Sequence, residues 1–164
     1  MSYAIEACKE SQYLDDQNIY VSTEDEEIAG IAIQYGAKVI DRPSELSEDH
    51  VWTQDVLSHA LEWSERQTGS EFDVLVRVQA NSPQITSDKI DECIKKLQDF
   101  NLWEVFTVDE DGIEDAAVHA MLRRCVNQKA LSVYKGVVRT DYIDVHSAQD
   151  VDKIAKLMKE IKKC

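Results

Sequence analysis

Val74-Leu-Val-Arg-Val-Gln79, running on into Ala80-Asn-Ser-Pro83, is the stretch whose reading decides the fold. It is the strongest strand signal in the chain, a run of β-branched and apolar residues ended by Ser82-Pro83, since proline cannot continue a ladder. Downstream the apolar period changes: Ile90, Cys93, Ile94 and Leu97 fall on one face of a helix. Val105-Phe-Thr-Val108 reads as the next strand and Asp109-Glu-Asp-Gly112 as a turn. The segment 116–140 predicts a helix near 116–126 and a strand near 133–138. Ser147 and Asp150 have cap spacing before a last helix striped by Val151, Ile154, Ala155, Met158 and Ile161.

Working upstream, Trp52, Val56, Ala60 and Trp63 recur at helical spacing over about 51–66, and Lys38-Val-Ile40 reads as a strand. Thr23 stands three residues before Glu26, a capping-box spacing that starts a helix through about Tyr35, with Gly36 as its stop. Ile19-Tyr-Val21 is a short strand, and Ser2 to Ser11 a helix. Strands alternating with helices predict a three-layer α/β domain: a mostly parallel sheet flanked by helices. In such sheets ligands sit beyond the carboxyl ends of the strands. That rule selects Ser22-Thr-Glu-Asp25, Gln79-Ala-Asn-Ser-Pro83 and Asp141-Tyr-Ile-Asp144 as the places for chemistry.

Composition narrows the function classes. The 164 residues fit one domain, 1–164, with a core large enough to need no disulfide or metal staple. Thirty-two acids against eighteen bases, a net charge of −14, repel a phosphate backbone, so no nucleic-acid partner is expected. No apolar run reaches the roughly 20 residues of a membrane span and no signal peptide is visible, which predicts a soluble, cytoplasmic protein with no membrane partner. The four cysteines form no C-x-x-C pair, and the five glycines form neither G-x-G-x-x-G nor G-x-x-x-x-G-K, so zinc sites and those phosphate loops are not expected. No Ser–His–Asp or Cys–His pairing suggests a covalent nucleophile.

Taken in order, the motifs resemble those of the cytidylyltransferases that make CMP-activated acidic sugars, the sialic-acid and 3-deoxy-octulosonate synthetases that supply surface polysaccharides. The family's V-S-T-D-D-x-E-I-A looks like Val21-Ser-Thr-Glu-Asp-Glu-Glu-Ile-Ala29. Its Y-G-A-x-V, R-P-x-E-L and D-V-x-x-H-A-L-E segments are similar to Tyr35–Val39, Arg42–Leu46 and Asp55–Glu62. Its Q-P-T-S-P resembles Gln79-Ala-Asn-Ser-Pro83, and its closing D-I-D-T-x-x-D resembles Tyr142-Ile-Asp-Val-His-Ser-Ala-Gln-Asp150. The resemblance implies a nucleotide-diphospho-sugar transferase-like Rossmann fold and transfer of CMP from CTP to an acidic sugar. Mg²⁺ would neutralise the phosphates, with Asp144 as a metal ligand. Ser22, Thr23, Asp25, Arg42, Gln79, Asn81 and Ser82 would be substrate- or nucleotide-binding.

Each of those residues also has a plainer reading. Ser22, Thr23 and Asp25 make a helix cap, Gln79 to Ser82 a strand-to-helix turn, and Asp144 a strand end before the Ser147 cap. Arg123 and Arg124 head a stretch, 116–140, with five bases and no acid. It either meets an anionic substrate or balances the acidic turn at 109–115.

The departures from the family matter as much. Members open with a strand and a basic A-R-x-G-S-K loop that grips the triphosphate, whereas this sequence starts in what would be the following helix. The resemblance therefore implies either an N-terminally truncated homologue or a sheet re-closed by pairing the Ile19 and Val74 strands. Tyr142 replaces the first aspartate of D-I-D, and the insert between 109 and 140 is short. A catalytically silent module that binds a sugar, a nucleotide or a protein stays open beside the enzyme. Exposed strand edges predict a homodimer.

Overall fold

The computed structural model describes residues 1–143, 145 and 147–161 of the protein. Helix α1 (Ser2–Lys9) leads to β1 (Tyr20–Thr23), α2 (Glu26–Gln34), β2 (Lys38–Asp41) and α3 (Thr53–Thr68). Then come β3 (Val74–Val78), α4 (Ser87–Asp99), β4 (Glu104–Val108), β5 (Glu114–Leu122), β6 (Lys135–Arg139) and α5 (Ala148–Ile161). Two local signals act as the sequence says. Gly36 follows α2 at φ +82°, and Gly112 takes φ +85° in a turn whose Asp109 Oδ1 accepts from Ile113 N at 2.8 Å.

The strands form two sheets. β1 and β2 pair in parallel, and β3-β5-β4-β6 form a second sheet, antiparallel at β3–β5 and β5–β4 and parallel at β4–β6. The expected mostly parallel sheet is therefore corrected to a mixed α/β arrangement. The expected pairing of the Ile19 and Val74 strands does not occur: among the described residues β1 bonds only β2, and β3 only β5. Both edge strands still serve one core, since Ile19, Val21, Val74, Val76 and Val78 share a hydrophobic cluster.

The element that makes the sheet mixed is β5, where a helix near 116–126 was expected. Ala117, Val118, His119, Ala120 and Met121 are all buried, with β3 on one side and β4 on the other. Ala, Met and Leu favour a helix by propensity, but burial on both faces of a central strand outweighs a preference of under about 1 kcal/mol per residue. The small Ala117 and Ala120 leave room for α4, whose Ile90, Cys93, Ile94 and Leu97 pack on this face with Val105 and Val138. On the other face Leu57 and Leu61 of α3 pack against Leu75, Met121 and Cys125. Helices thus cover both faces, as the layer reading required.

The start of α2 corrects a second detail. Asp25, not Thr23, is the N-cap: its Oδ1 accepts from Ile28 N at 2.9 Å, while Thr23 Oγ1 accepts from Asp25 N at 3.1 Å. The Ser147 cap forms as predicted, with Ser147 N donating to Asp150 Oδ2 at 3.0 Å and Asp150 N to Ser147 Oγ at 3.4 Å. On α5, Ile154 is buried while Val151 and Ala155 stay exposed; the side chains of Met158 and Ile161 lie outside those described. Among the described residues no helix is long and apolar enough to cross a membrane.

Candidate functional site

Beyond the carboxyl end of β3, hydrogen bonds draw two of the sequence-selected segments together. Val145 N donates to Asn81 O at 3.1 Å, Ile143 N to Gln84 Oε1 at 2.9 Å, and Thr86 N to the Tyr142 hydroxyl at 3.3 Å. The segment after β3 and the segment after β6 are thereby laid side by side. With the first turn of α1 they enclose a groove of about 540 Å³ lined by Met1, Ser2, Tyr3, Asn81, Pro83 and Val145, with Val151 and Ile154 of α5. That volume is in the range of small-molecule sites.

The segment after β3, which lines this groove through Asn81 and Pro83, carries polar groups unusual for a turn. Ser82 is 1% exposed, and neither its Oγ nor Asn81 Oδ1 has a hydrogen-bond partner among the described residues. A buried hydroxyl without a partner costs about 1–3 kcal/mol, so it is kept where something else uses it. The start of α1 adds a second feature. Met1 gives it no side-chain cap and its first turn holds no acid, leaving the positive end of the helix dipole open to the groove.

Gln79 is half-buried, its N–H on Ala117 O at 2.9 Å. Ser22 Oγ is a further buried hydroxyl without a partner among the described residues. Thr23 and Asp25 are occupied as α2 caps. Arg42 lies against Glu24, with Nε to Oε2 at 3.0 Å, and holds that carboxyl below its usual range. Arg123 and Arg124 serve the fold. Arg123 forks onto Glu65 at 2.7 and 2.9 Å and reaches Glu71 at 3.5 Å, while Arg124 stacks 4.1 Å from the Trp103 ring. Neither lines the groove, and both are engaged by Glu65, Glu71 and Trp103 rather than by the acidic turn at 109–115. Asp144 lies outside the described residues, and among those described no three His, Cys, Asp or Glu converge on a metal position.

A second cavity, of about 440 Å³, was not anticipated. It sits on the α3 face of the larger sheet, roofed by residues 49–54 and 128–131, with Arg77, Glu104, Glu114 and His119 in its walls. Arg77 pairs across the ladder with His119, and Phe106 pairs with His119 on the other side, so these residues share one face. His119 Nε2 lies 3.1 Å from Glu104 Oε2, and Glu104 Oε1 accepts the Ser132 N–H. Burial, then the Arg77 charge, pushes the His119 ring down to about 4, and burial raises the Glu104 carboxyl. Arg77 NH2 stands 3.6 Å from Glu114 Oε1. The sequence signal was a charged or polar residue inside each apolar strand: Arg77 in Val74–Val78, Glu104 before Val105, His119 in Ala116–Met121.

Among the described residues the cysteines add no chemistry. Cys8, Cys93 and Cys125 are free and buried; burial pushes the Cys8 thiol up to about 11 and Cys93 to about 12, so neither is a thiolate near neutrality.

Comparison with known proteins agrees with the motif order. The chain is 33% identical over 91 residues to N-acylneuraminate cytidylyltransferase A of Danio rerio, covering 56% of this chain and 20% of that protein. It is 34% identical over 101 residues to post-translational flagellin modification protein B of Campylobacter coli, covering 61% of this chain and 41% of that one. The chain therefore spans less than half the length of the curated relatives it matches. Among solved structures, a CMP:2-keto-3-deoxy-manno-octonic acid synthetase complexed with CTP superposes with a TM-score of 0.69 at 13% identity, over 96% of this chain and 86% of that one. A cytidylyltransferase from Leptospira borgpetersenii serovar Hardjo-bovis gives 0.58 at 14% identity, over 98% and 83%. These two likenesses establish the fold. The family profile described as Cytidylyltransferase matches residues 1–149, and the chain belongs to the cytidylyltransferase family.

Proposed function

We propose that this chain carries the nucleotide- and sugar-facing body of a nucleotidyltransferase that transfers CMP from CTP to an acidic sugar of the sialic-acid or 3-deoxy-octulosonate type. The observation that supports it is the convergence of Asn81, Pro83, Val145 and the uncapped first turn of α1 on one groove, held together by Val145 N on Asn81 O and Ile143 N on Gln84 Oε1. In this reading the α1 amides receive the phosphates and Ser82 and Asn81 hydrogen-bond the nucleotide. The anomeric hydroxyl of the sugar forms a new bond to the α-phosphorus, the bond to the β-phosphate breaks, pyrophosphate leaves, and the hydroxyl proton passes to solvent. The family reading includes Mg²⁺, which would neutralise the triphosphate. The described residues do not assemble a site for it, and no step is drawn through the ion.

A second reading is favoured by Tyr142, which stands at the position of the first aspartate in the family's D-I-D and whose hydroxyl accepts from Thr86 N at 3.3 Å. On that reading the chain is a catalytically silent binder of nucleotide or sugar. Calorimetry with CTP and CMP beside a pyrophosphate assay separates the two. Binding with turnover supports the enzyme, binding without turnover the silent module, and no binding of either nucleotide removes the enzyme and leaves only a sugar binder, which calorimetry with the two sugar acids, sialic acid and 3-deoxy-octulosonate, then tests.

A further inference from the structure

The β4–β5 ladder breaks as it nears the groove. Phe106 pairs with His119, but Val108 pairs with Glu114, where an uninterrupted antiparallel count would bring Ala117. β5 therefore bulges over 115–117, beside the carboxyl ends of β3 and β4 and the end of β6. Asp115 sits half-buried in that bulge. Its carboxylate accepts the Thr107 hydroxyl of β4 on Oδ1 and the Thr140 hydroxyl, one residue past β6, on Oδ2. Ala117 N also donates to Oδ1, at 3.0 Å, and Val118 N donates to Thr107 Oγ1 at 3.0 Å.

Both walls of the groove hang from this bulge. Ala117 O holds Gln79 N at 2.9 Å, just ahead of the Asn81–Pro83 wall. Thr140 opens the segment after β6, whose Ile143 N reaches Gln84 Oε1 and whose Val145 N reaches Asn81 O. β5 and β6 lie on opposite sides of β4 and share no ladder, so the bond from Asp115 to Thr140 is a tie across the end of β4. The register of β6 does not need it, because Thr140 N already donates to Val108 O at 2.9 Å. A partly buried carboxylate carries a desolvation cost that an apolar side chain avoids, and here its donors are all aimed at strand ends that carry the groove.

We propose that Asp115 is a positioning residue for the groove: through Thr140 it holds the segment after β6 against the segment after β3 and so sets the spacing of the two walls. Asp115 does not itself line the groove. The proposal rests on the reading of that groove as the nucleotide site, and names the side chain outside it that fixes its shape.

Thr140→Val is the cleanest perturbation, since it removes the tie and keeps the backbone bond to Val108. Amide exchange by NMR on the full chain reads the result, with Ile143 and Val145 as reporters of the walls and Ile94 in α4 as the reference for general loosening. Exchange at Ile143 and Val145 should speed up at least about fivefold with Ile94 unchanged, and the Kd for CTP by calorimetry should rise at least about fivefold. Arg123→Gln, whose fork onto Glu65 lies away from the groove, should move neither reporter nor CTP. Adding Thr140→Val to Asp115→Ala should produce no further change, because the tie is already cut. Unchanged reporters in Thr140→Val, reporters that quicken only together with Ile94, additive effects in the double variant, or CTP affinity that ignores the loosened walls would each overturn the proposal. If Asp115→Ala does not fold by circular dichroism, Thr140→Val against Arg123→Gln decides alone. The two readings fail separately: a wild-type chain that binds no CTP removes the nucleotide site, while the exchange rates still show whether Asp115 holds the walls.

Discussion

Ser82→Ala is the sharpest test of the groove, because the fold and the site pull its effect in opposite directions. The Ser82 hydroxyl is buried and has no partner among the described residues, so the native state carries a desolvation cost of about 1–3 kcal/mol that alanine does not. Removing the oxygen should leave the protein as stable as before or more stable, by up to about 2 kcal/mol. For a domain of this size each kcal/mol moves Tm by about 2–4 °C, so the expected change runs from zero to several degrees upward. Nucleotide affinity should move the other way. A hydroxyl donating to a phosphate oxygen contributes about 1.5–3 kcal/mol, which predicts a rise of about 10- to 150-fold in Kd for CTP. Urea melts of both proteins and calorimetry with CTP measure the two effects together. A loss of more than about 1 kcal/mol in stability with unchanged CTP affinity would refute the reasoning, since the hydroxyl would then be part of the fold.

Three further expectations follow from particular side chains. His119 has its folded pKa lowered to about 4 from 6.5, so its contribution to stability is present above pH 6.5 and lost as pH falls toward 4; urea melts at pH 6.5 and 5 should differ by about 2 kcal/mol from this ring, and His119→Gln should flatten that slope. The raised Glu104 carboxyl acts in the opposite sense, its destabilisation easing as pH falls, so a steeper fall in Glu104→Gln checks the sign. Arg123→Gln should lower Tm while leaving CTP and sugar affinities within twofold, because its fork is spent on Glu65; an affinity loss above fivefold returns it to the site. Sedimentation should show a homodimer, and a clean monomer rejects the argument from unbonded edges of β1 and β3.

What could be read from the chain and what could not divides along one physical line. Patterns set by local chemistry were legible. The α4 stripe of Ile90, Cys93, Ile94 and Leu97, the Ser147–Asp150 cap and the Asp109–Gly112 turn stand where their spacing put them. So did the end of β3, which stops at Val78, one residue before the expected Gln79, with Asn81 and Pro83 beyond it in the groove. Patterns set by neighbours in space were not. Ala116–Met121 carries helix formers but is a central strand because β3 and β4 flank it and α4 needs its small residues, which turns a parallel sheet into a mixed one. Arg123 and Arg124 could be assigned neither to a ligand nor to their ionic partners, because Glu65, Glu71 and Trp103 are distant in sequence. The chamber of Arg77, Glu104, Glu114 and His119 draws one residue or two from each of three strands, and only the antiparallel register of β5 aligns them.

The measurement that bears most directly on the account is pyrophosphate release by the full chain incubated with CTP, Mg²⁺ and the two sugar acids. The account predicts release that requires both CTP and an acid, and that falls in Ser82→Ala. A folded protein, verified by circular dichroism, that releases no pyrophosphate above background with either acid would contradict the proposed CMP transfer.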